Sequence, residues 1–282
     1  MVTKDPQLSK AERRDAARAQ ALKLQQEQLR REKRTRAIII GSLVAGLAIV
    51  GVIVWAILRS AGPDLQGISE IPTEVETPAV ADAAGGVSFG ATGEAGSTSG
   101  DDAVTVAVYL DYMCPNCGQF EALNGPELDE LREAGDITLV IHPVSILDGA
   151  SQGTEYSTRA AAAFSYVAEN SPENALAFNN ALFTNQPAEG TGGLTDEQLE
   201  SIAVESGVPE DVAAGIADQP FKQFVAALTQ VAYSDPAVVN ADGGFGTPTV
   251  VIDGERFNGN WSEPGAVSSA IAAAQGSDAV QP

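Results

Sequence analysis

Asp111-Tyr112-Met113-Cys114-Pro115-Asn116-Cys117 is the stretch on which the reading of this chain turns. It carries the only two cysteines among 282 residues. They stand at C-x-x-C spacing, at which two sulfurs can close a small disulfide and open it again. A zinc site needs about four N, S or O ligands, and two cysteines with a single histidine, His142, fall short of that. An inert disulfide is the other competitor, but so short a loop staples little and no second pair exists. Redox work is the better account, and a position between a strand and a helix strengthens it.

The flanking sequence supplies that position. Residues 103–110, AVTVAVYL, form an apolar and β-branched run suited to a strand buried on both faces. After the cysteines, Phe120, Leu123, Leu128 and Leu131 recur at helical spacing, with a kink or break expected at Gly125-Pro126. Residues 137–141, ITLVI, predict a second strand, so the unit is βαβ with parallel pairing. Alanine-rich helical patterns follow over 158–169, 173–183, 195–206, 210–216 and 219–233, with a capping box at Thr195 and Gln198 and a flexible loop expected at 190–193. Strands return at 249–252 and 255–257 around the hairpin turn Asp253-Gly254, and Ser262 is expected to cap a last helix that turns Val267 and Ile271 inward. This order, βαβ, helical insert, ββα, is an α/β thioredoxin fold with an inserted helical subdomain.

Charge divides the rest of the chain. Residues 1–36 hold eleven Lys/Arg against five acids and read as a basic helical segment. Residues 37–58 carry no charge over 22 positions. As a helix they would span roughly 33 Å, enough for a bilayer core. The cations before this stretch, and the single Arg59 after it, place the N-terminus in the cytoplasm and the remainder outside. From Ser60 onward only Arg132, Arg159, Lys222 and Arg256 are basic, against thirty-three acids, so phosphate would be repelled and nucleic acid is not a partner. Residues 59–102, with three prolines and eight glycines, read as a flexible linker. The domain then runs over 103–276, its helical insertion over about 153–236, and 277–282 form a tail. Outside the cytoplasm disulfides persist, which suits the cysteine pair.

The chemistry follows from the placement. A thiolate attacks disulfides, and a cysteine at a helix start faces unpaired N–H groups that favour ionisation. Cys114 therefore reads as nucleophile and Cys117, one turn further in, as resolving thiol. Pro115 suits the first helical turn because its missing N–H has no partner there. Thr247-Pro248 precedes a buried strand, where either a cis bond in a tight turn or an ordinary trans proline fits. A cis bond would turn the Thr247 backbone outward as an edge for an extended substrate chain. His142 belongs to the second strand and reads as a core or edge residue. No metal and no organic cofactor is indicated.

The D-Y-x-C-P-x-C motif at Asp111–Cys117, the Ala160-Ala161-Ala162 helix, Leu194-Thr195-Asp196 and Gly246-Thr247-Pro248-Thr249 together resemble the DsbA-like branch of the thioredoxin superfamily. The likeness extends over about residues 104–274 and is nearest to membrane-anchored disulfide oxidases of Gram-positive bacteria. It implies a cis Pro248 packed against Cys114 and dithiol–disulfide exchange with the thiols of exported proteins. A redox partner that recycles the cysteines is implied as well. Asn116 stands where DsbA has histidine, which removes a charged imidazole and should make the site less oxidising. Val108 stands where the family keeps a buried acid, leaving Asp111 or water to relay a proton to Cys117. Oxidation of exported proteins leads, with a reductase or isomerase, or a redox-inert envelope binding module, as alternatives.

Overall fold

A computed structural model describes residues 65–278, so the basic segment 1–36, the apolar stretch 37–58, residues 59–64 and the last four residues lie outside the described residues. Among the described residues no helix is long and apolar enough to cross a membrane.

Five strands make one mixed sheet: β1 (Val87–Phe89), β2 (Val104–Leu110), β3 (Ile137–Pro143), β4 (Thr249–Ile252) and β5 (Glu255–Arg256), in the order β1-β3-β2-β4-β5. β2 and β3 run parallel with Val104 opposite Ile137, and the other neighbours are antiparallel. Every residue of β3 and β4 is buried, as strands covered on both faces must be. The β4–β5 turn uses Asp253 and Gly254 at φ 47° and 80°, the twist that a two-residue hairpin demands. Asp253 also accepts the Thr105 N–H at 2.8 Å, which fastens the hairpin to β2.

The β2–β3 crossover is α1 (Pro115–Ala134), which buries Cys117, Phe120, Asn124, Leu128 and Arg132 along one stripe. Leu123, one of the residues at helical spacing, falls off that stripe and is 57% exposed. Of the kink or break expected at Gly125-Pro126, the break does not occur, because α1 runs on through Pro126. A residue before proline normally leaves the α region because its Cβ meets the proline ring, and Gly125 has no Cβ. The helix stops at Gly135, φ 82°, where the Gly135 and Asp136 N–H groups turn back to the carbonyls of Arg132 and Leu131.

Between β3 and β4 lie α2 (Tyr156–Asn170), α3 (Ala175–Thr184), α4 (Asp196–Glu205), α5 (Glu210–Ala213) and α6 (Lys222–Ser234). Ala160, Ala161, Ala162 and Ala163 are all buried, and their small side chains suit α2 to the centre of this insert, packed against α3 and α6. Thr195 and Gln198 close the capping box at the start of α4. The loop at 190–193 is pinned rather than free. Gly190 donates to Ala150 and Gly192 accepts from the Thr154 hydroxyl, while Gly193 lies so close to the Tyr156 ring that a Cβ there would overlap it. The last helix, α7 (Ala266–Asp278), packs on β2 and β4 through Val267 and Ile271. It starts after Gly265 rather than at Ser262, because Asn260 takes the Ser262 N–H and hydroxyl for a local turn.

The largest correction concerns the expected linker 59–102. From residue 65 it is packed onto the domain: β1 pairs with β3, Val87 opposite Ile141, and Val75, Val87, Phe89 and Ala95 are buried. The Arg132 guanidinium, itself 5% exposed, donates to the carbonyls of Gly90 and Ala91. Apolar burial and sheet hydrogen bonds offset the ordering entropy that glycine imposes. Phe89 is fully buried with its ring 6.4 Å from that of Phe164. In a flexible linker Phe89→Ala would be silent. Here it should lower the unfolding free energy by about 3–5 kcal/mol, measured by denaturant unfolding.

Candidate active site

β2 ends at Leu110, and the next four residues turn the chain into α1. Asp111, Tyr112 and Met113 are fully buried, Cys114 is 6% exposed, and Pro115 and Asn116 face solvent. Cys114 is the residue before the helix, with extended backbone at φ −75° and ψ 116°, and Pro115 takes the first helical position. Cys117, one turn inside, is wholly buried, and both cysteines are free thiols.

The two sulfurs differ sharply in acidity. The Cys114 thiol is brought down to about 6, first by a hydrogen bond from Cys117. Burial opposes this, while Thr247 and the N–H groups of Cys117 and Asn116 add to it. Both N–H groups lie in the first turn of α1, at its positive end, and the Cys117 one also meets the Cys114 carbonyl at 3.0 Å. Cys117 moves the other way, pushed well up by burial and then by the neighbouring Cys114 sulfur. At neutral pH the pair is one thiolate and one thiol.

Thr247-Pro248 is a cis peptide, and the Cys114 thiol lies 3.4 Å from the Thr247 carbonyl. The Thr247 hydroxyl is buried on the same side and is the group of Thr247 that favours the Cys114 thiolate. Residues far apart in sequence, Cys114 and Thr247, thus meet where β2 faces the start of β4. Tyr109 lies opposite Thr249 in that ladder and stacks on His142, ring centroids 4.1 Å apart. His142 is buried, and burial lowers its pKa to about 4, so it is neutral and sits in the sheet away from the sulfurs.

Asp111 touches the pair through its backbone, its N–H lying 3.5 Å from the Cys117 sulfur. Its carboxylate points elsewhere and accepts from the Met113 N–H at 2.8 Å, the Leu147 N–H at 2.9 Å and the Ser157 hydroxyl at 2.7 Å. Burial raises its pKa to about 6 against the pull of those three donors. Val108 is buried in the sheet.

Three residues here were not anticipated. Ser157 gives no motif, and only the start of α2 places its hydroxyl on Asp111. Glu121 lies one turn beyond Cys117 on α1, in a groove of about 420 Å³ that also includes Asp129, Phe183 and Thr184. Burial pushes its carboxyl up to about 7, opposed by a hydrogen bond with Asn179, which in turn accepts from the Tyr112 hydroxyl at 3.0 Å. Gln186, in the loop after α3, donates to the carbonyls of Tyr112 and Cys114 at 3.1 and 2.9 Å. Among the described residues no group of His, Cys, Asp and Glu is arranged to hold a metal ion.

The family model described as Thioredoxin matches residues 96–272, well over half of the chain. The chain belongs to this family. Within it the protein is DsbA-like. It is 29% identical to the reduced disulfide bond oxidoreductase DsbG of Mycobacterium tuberculosis, over 69% of this chain and 89% of that one, with a TM-score of 0.54. The oxidised DsbA of the same organism matches at 29% identity over 68% and 93% of the two chains, also at 0.54. A thiol–disulfide oxidoreductase of Actinomyces oris, MdbA, is 21% identical and shares the fold, at a TM-score of 0.56 over 75% of this chain and all of that one. A curated relative, the serine/threonine-protein kinase PknE of Mycobacterium tuberculosis, is 32% identical over 103 residues, 35% of this chain and 18% of the kinase. The chain thus spans less than a fifth of that relative. Family, structural neighbours and dithiol agree on one enzyme class, thiol:disulfide oxidoreductase.

The acidity split is directly measurable. Alkylation of the reduced protein should follow a single ionisation at about pH 6, assigned to Cys114 by mass spectrometry, with Cys117 unmodified until the fold is lost. A midpoint near 8.5, the free-cysteine value, would contradict the geometry.

Proposed function

We propose that this enzyme oxidises cysteine pairs in exported proteins, with Cys114 as the sulfur that exchanges with substrate. The observation that carries the reading is the opposed acidity of Cys114 and Cys117 at the open end of α1. A substrate thiolate attacks the Cys114 sulfur of the Cys114–Cys117 disulfide, forming a mixed disulfide. Cys117 leaves with the electron pair and takes up a proton. A second substrate thiolate then attacks its partner sulfur, and Cys114 leaves as thiolate. The net result is one disulfide made in the substrate and one dithiol left in the enzyme, two electrons having moved inward. A thiol of low pKa leaves faster and stabilises the reduced enzyme, so both rate and equilibrium favour oxidation of the substrate. Thr247 and Pro248 would present the backbone edge along which the substrate chain lies. Asp111, Pro115 and Asn116 shape the turn. Turnover needs a second protein that reoxidises the pair.

Reduction or isomerisation is the second reading, favoured by one observation: Asn116, exposed between the cysteines, brings no positive charge to the thiolate. The two directions separate in a glutathione titration of the full chain. Oxidation predicts a potential nearer to DsbA, about −120 mV, than to thioredoxin, about −270 mV, and a value at or below the latter reverses the assignment. In the same preparation Cys114→Ser should abolish exchange and Cys117→Ser should trap a mixed disulfide with substrate. Full activity in the double variant would exclude the site altogether.

The same proposal sets the domain outside the cytoplasm. The charge asymmetry about the apolar residues 37–58 supports it, with eleven cations before that stretch and Arg59 alone directly after it. Protease added to intact spheroplasts should digest the cysteine-bearing domain while leaving a membrane-bound N-terminal fragment. Protection of the whole domain would place it on the other side.

A further inference from the structure

We infer that Gln186 is a positioning residue of the exchange reaction, latching the helical insert onto the backbone that presents the Cys114 sulfur. This rests on Cys114 being the attacking and leaving sulfur.

The turn from β2 into α1 is held on two sides. On one, Asp111 takes the N–H groups of Met113 and Cys114, the first with its carboxylate and the second with its carbonyl. On the other, a single nitrogen, Gln186 Nε2, donates to the carbonyls of Tyr112 and Cys114, two residues apart. Those bonds orient the peptide group that precedes Met113 and the one that follows Cys114. The Cys114 carbonyl is also the first acceptor of α1, taking the N–H groups of Cys117 and Gly118 at 3.0 and 3.2 Å. Its direction therefore sets how the helix begins, and with it where the N–H groups beside the sulfur point.

The other end of the same amide accounts for Gly118. A Cβ on Gly118 would lie 2.5 Å from Gln186 Oε1, closer than real carbon and oxygen atoms approach. Gly118 sits inside a helix without a positive φ, where alanine would ordinarily be more stable. No backbone requirement explains the glycine. Space for the Gln186 amide does.

Gln186 comes from the loop after α3, and Cys114 from the β2–α1 junction. Without the latch the Cys114 peptide can rotate, and donors whose influence fades within one helical turn no longer converge on the sulfur. The thiolate then loses stabilisation that the mixed or internal disulfide never needed.

The test compares the full-length protein with Gln186→Ala, Gly118→Ala and the double variant. Each is read by ultraviolet absorbance of the thiolate against pH, by equilibrium with glutathione and by thermal unfolding. Gln186→Ala should raise the Cys114 midpoint by about one pH unit and move the equilibrium about tenfold toward the disulfide, about 30 mV for a two-electron couple. Gly118→Ala should move both in the same direction by expelling the amide, and the double variant should go no further than the larger single change. An unmoved midpoint in folded Gln186→Ala overturns the inference. So does an effect of Gly118→Ala alone, or strictly additive effects. Should Gln186→Ala not fold, Gly118→Ala carries the decision alone, and an unmoved midpoint there overturns it. Failure of the underlying assignment looks different, because Cys114→Ser would then still exchange disulfides.

Discussion

The buried carboxylate of Asp111 gathers three donors from three parts of the chain: Met113 in the cysteine turn, Leu147 in the loop after β3 and Ser157 at the start of α2. A charge withdrawn from water in this way is tolerable only when its hydrogen-bonding capacity is met. The requirement works in both directions. Each donor keeps the carboxylate soluble in the protein interior, and the carboxylate keeps scaffold, loop and insert in register at the site. Thioredoxin scaffold and helical insert are thus joined directly beside the sulfurs rather than at a remote seam.

That arrangement explains how two cysteines one turn apart acquire different chemistry. Both lie at the same helix end, and both are largely covered by protein. Cys114 is placed before the first turn, where N–H groups of that turn, the Cys117 thiol and Thr247 meet its sulfur. Cys117 is buried against the Asp111 backbone and finds no comparable set of donors. Location relative to one helix terminus, rather than any added charged residue, separates the more acidic thiol from the less acidic one. The neutral Asn116 and the apolar Val108 fit a site of this sort, which draws on backbone groups.

Much of this was legible in the residues themselves. The strands around Val106, Leu139 and Val251 are continuous apolar runs, and period alone marks them. The C-x-x-C pair and the Thr247-Pro248 dipeptide lie at strand ends that the pattern of elements locates. The packed segment 65–102 was not legible by composition, since its glycines and prolines resemble those of a disordered tether. Its signal was local, the alternation Val87-Ser88-Phe89, and only pairing with β3 gives that short run a meaning. Ser157, Glu121 and Gln186 escaped for another reason. Each acts through a contact more than one element away, or through a groove that exists only once α1 and α3 are packed, and no spacing along the chain encodes that.

β1 carries a consequence beyond the core. An open sheet exposes rows of unpaired amides along its outermost strands, and these recruit strands from other molecules. Here one flank is closed by β1 lying antiparallel on β3, and the other ends in β5, only two residues long. The strands that carry the site are therefore interior ones, with no long unpaired margin beside them among the described residues. The sheet thus offers an extended chain no long edge to lengthen. It can meet such a chain without becoming a template for aggregation.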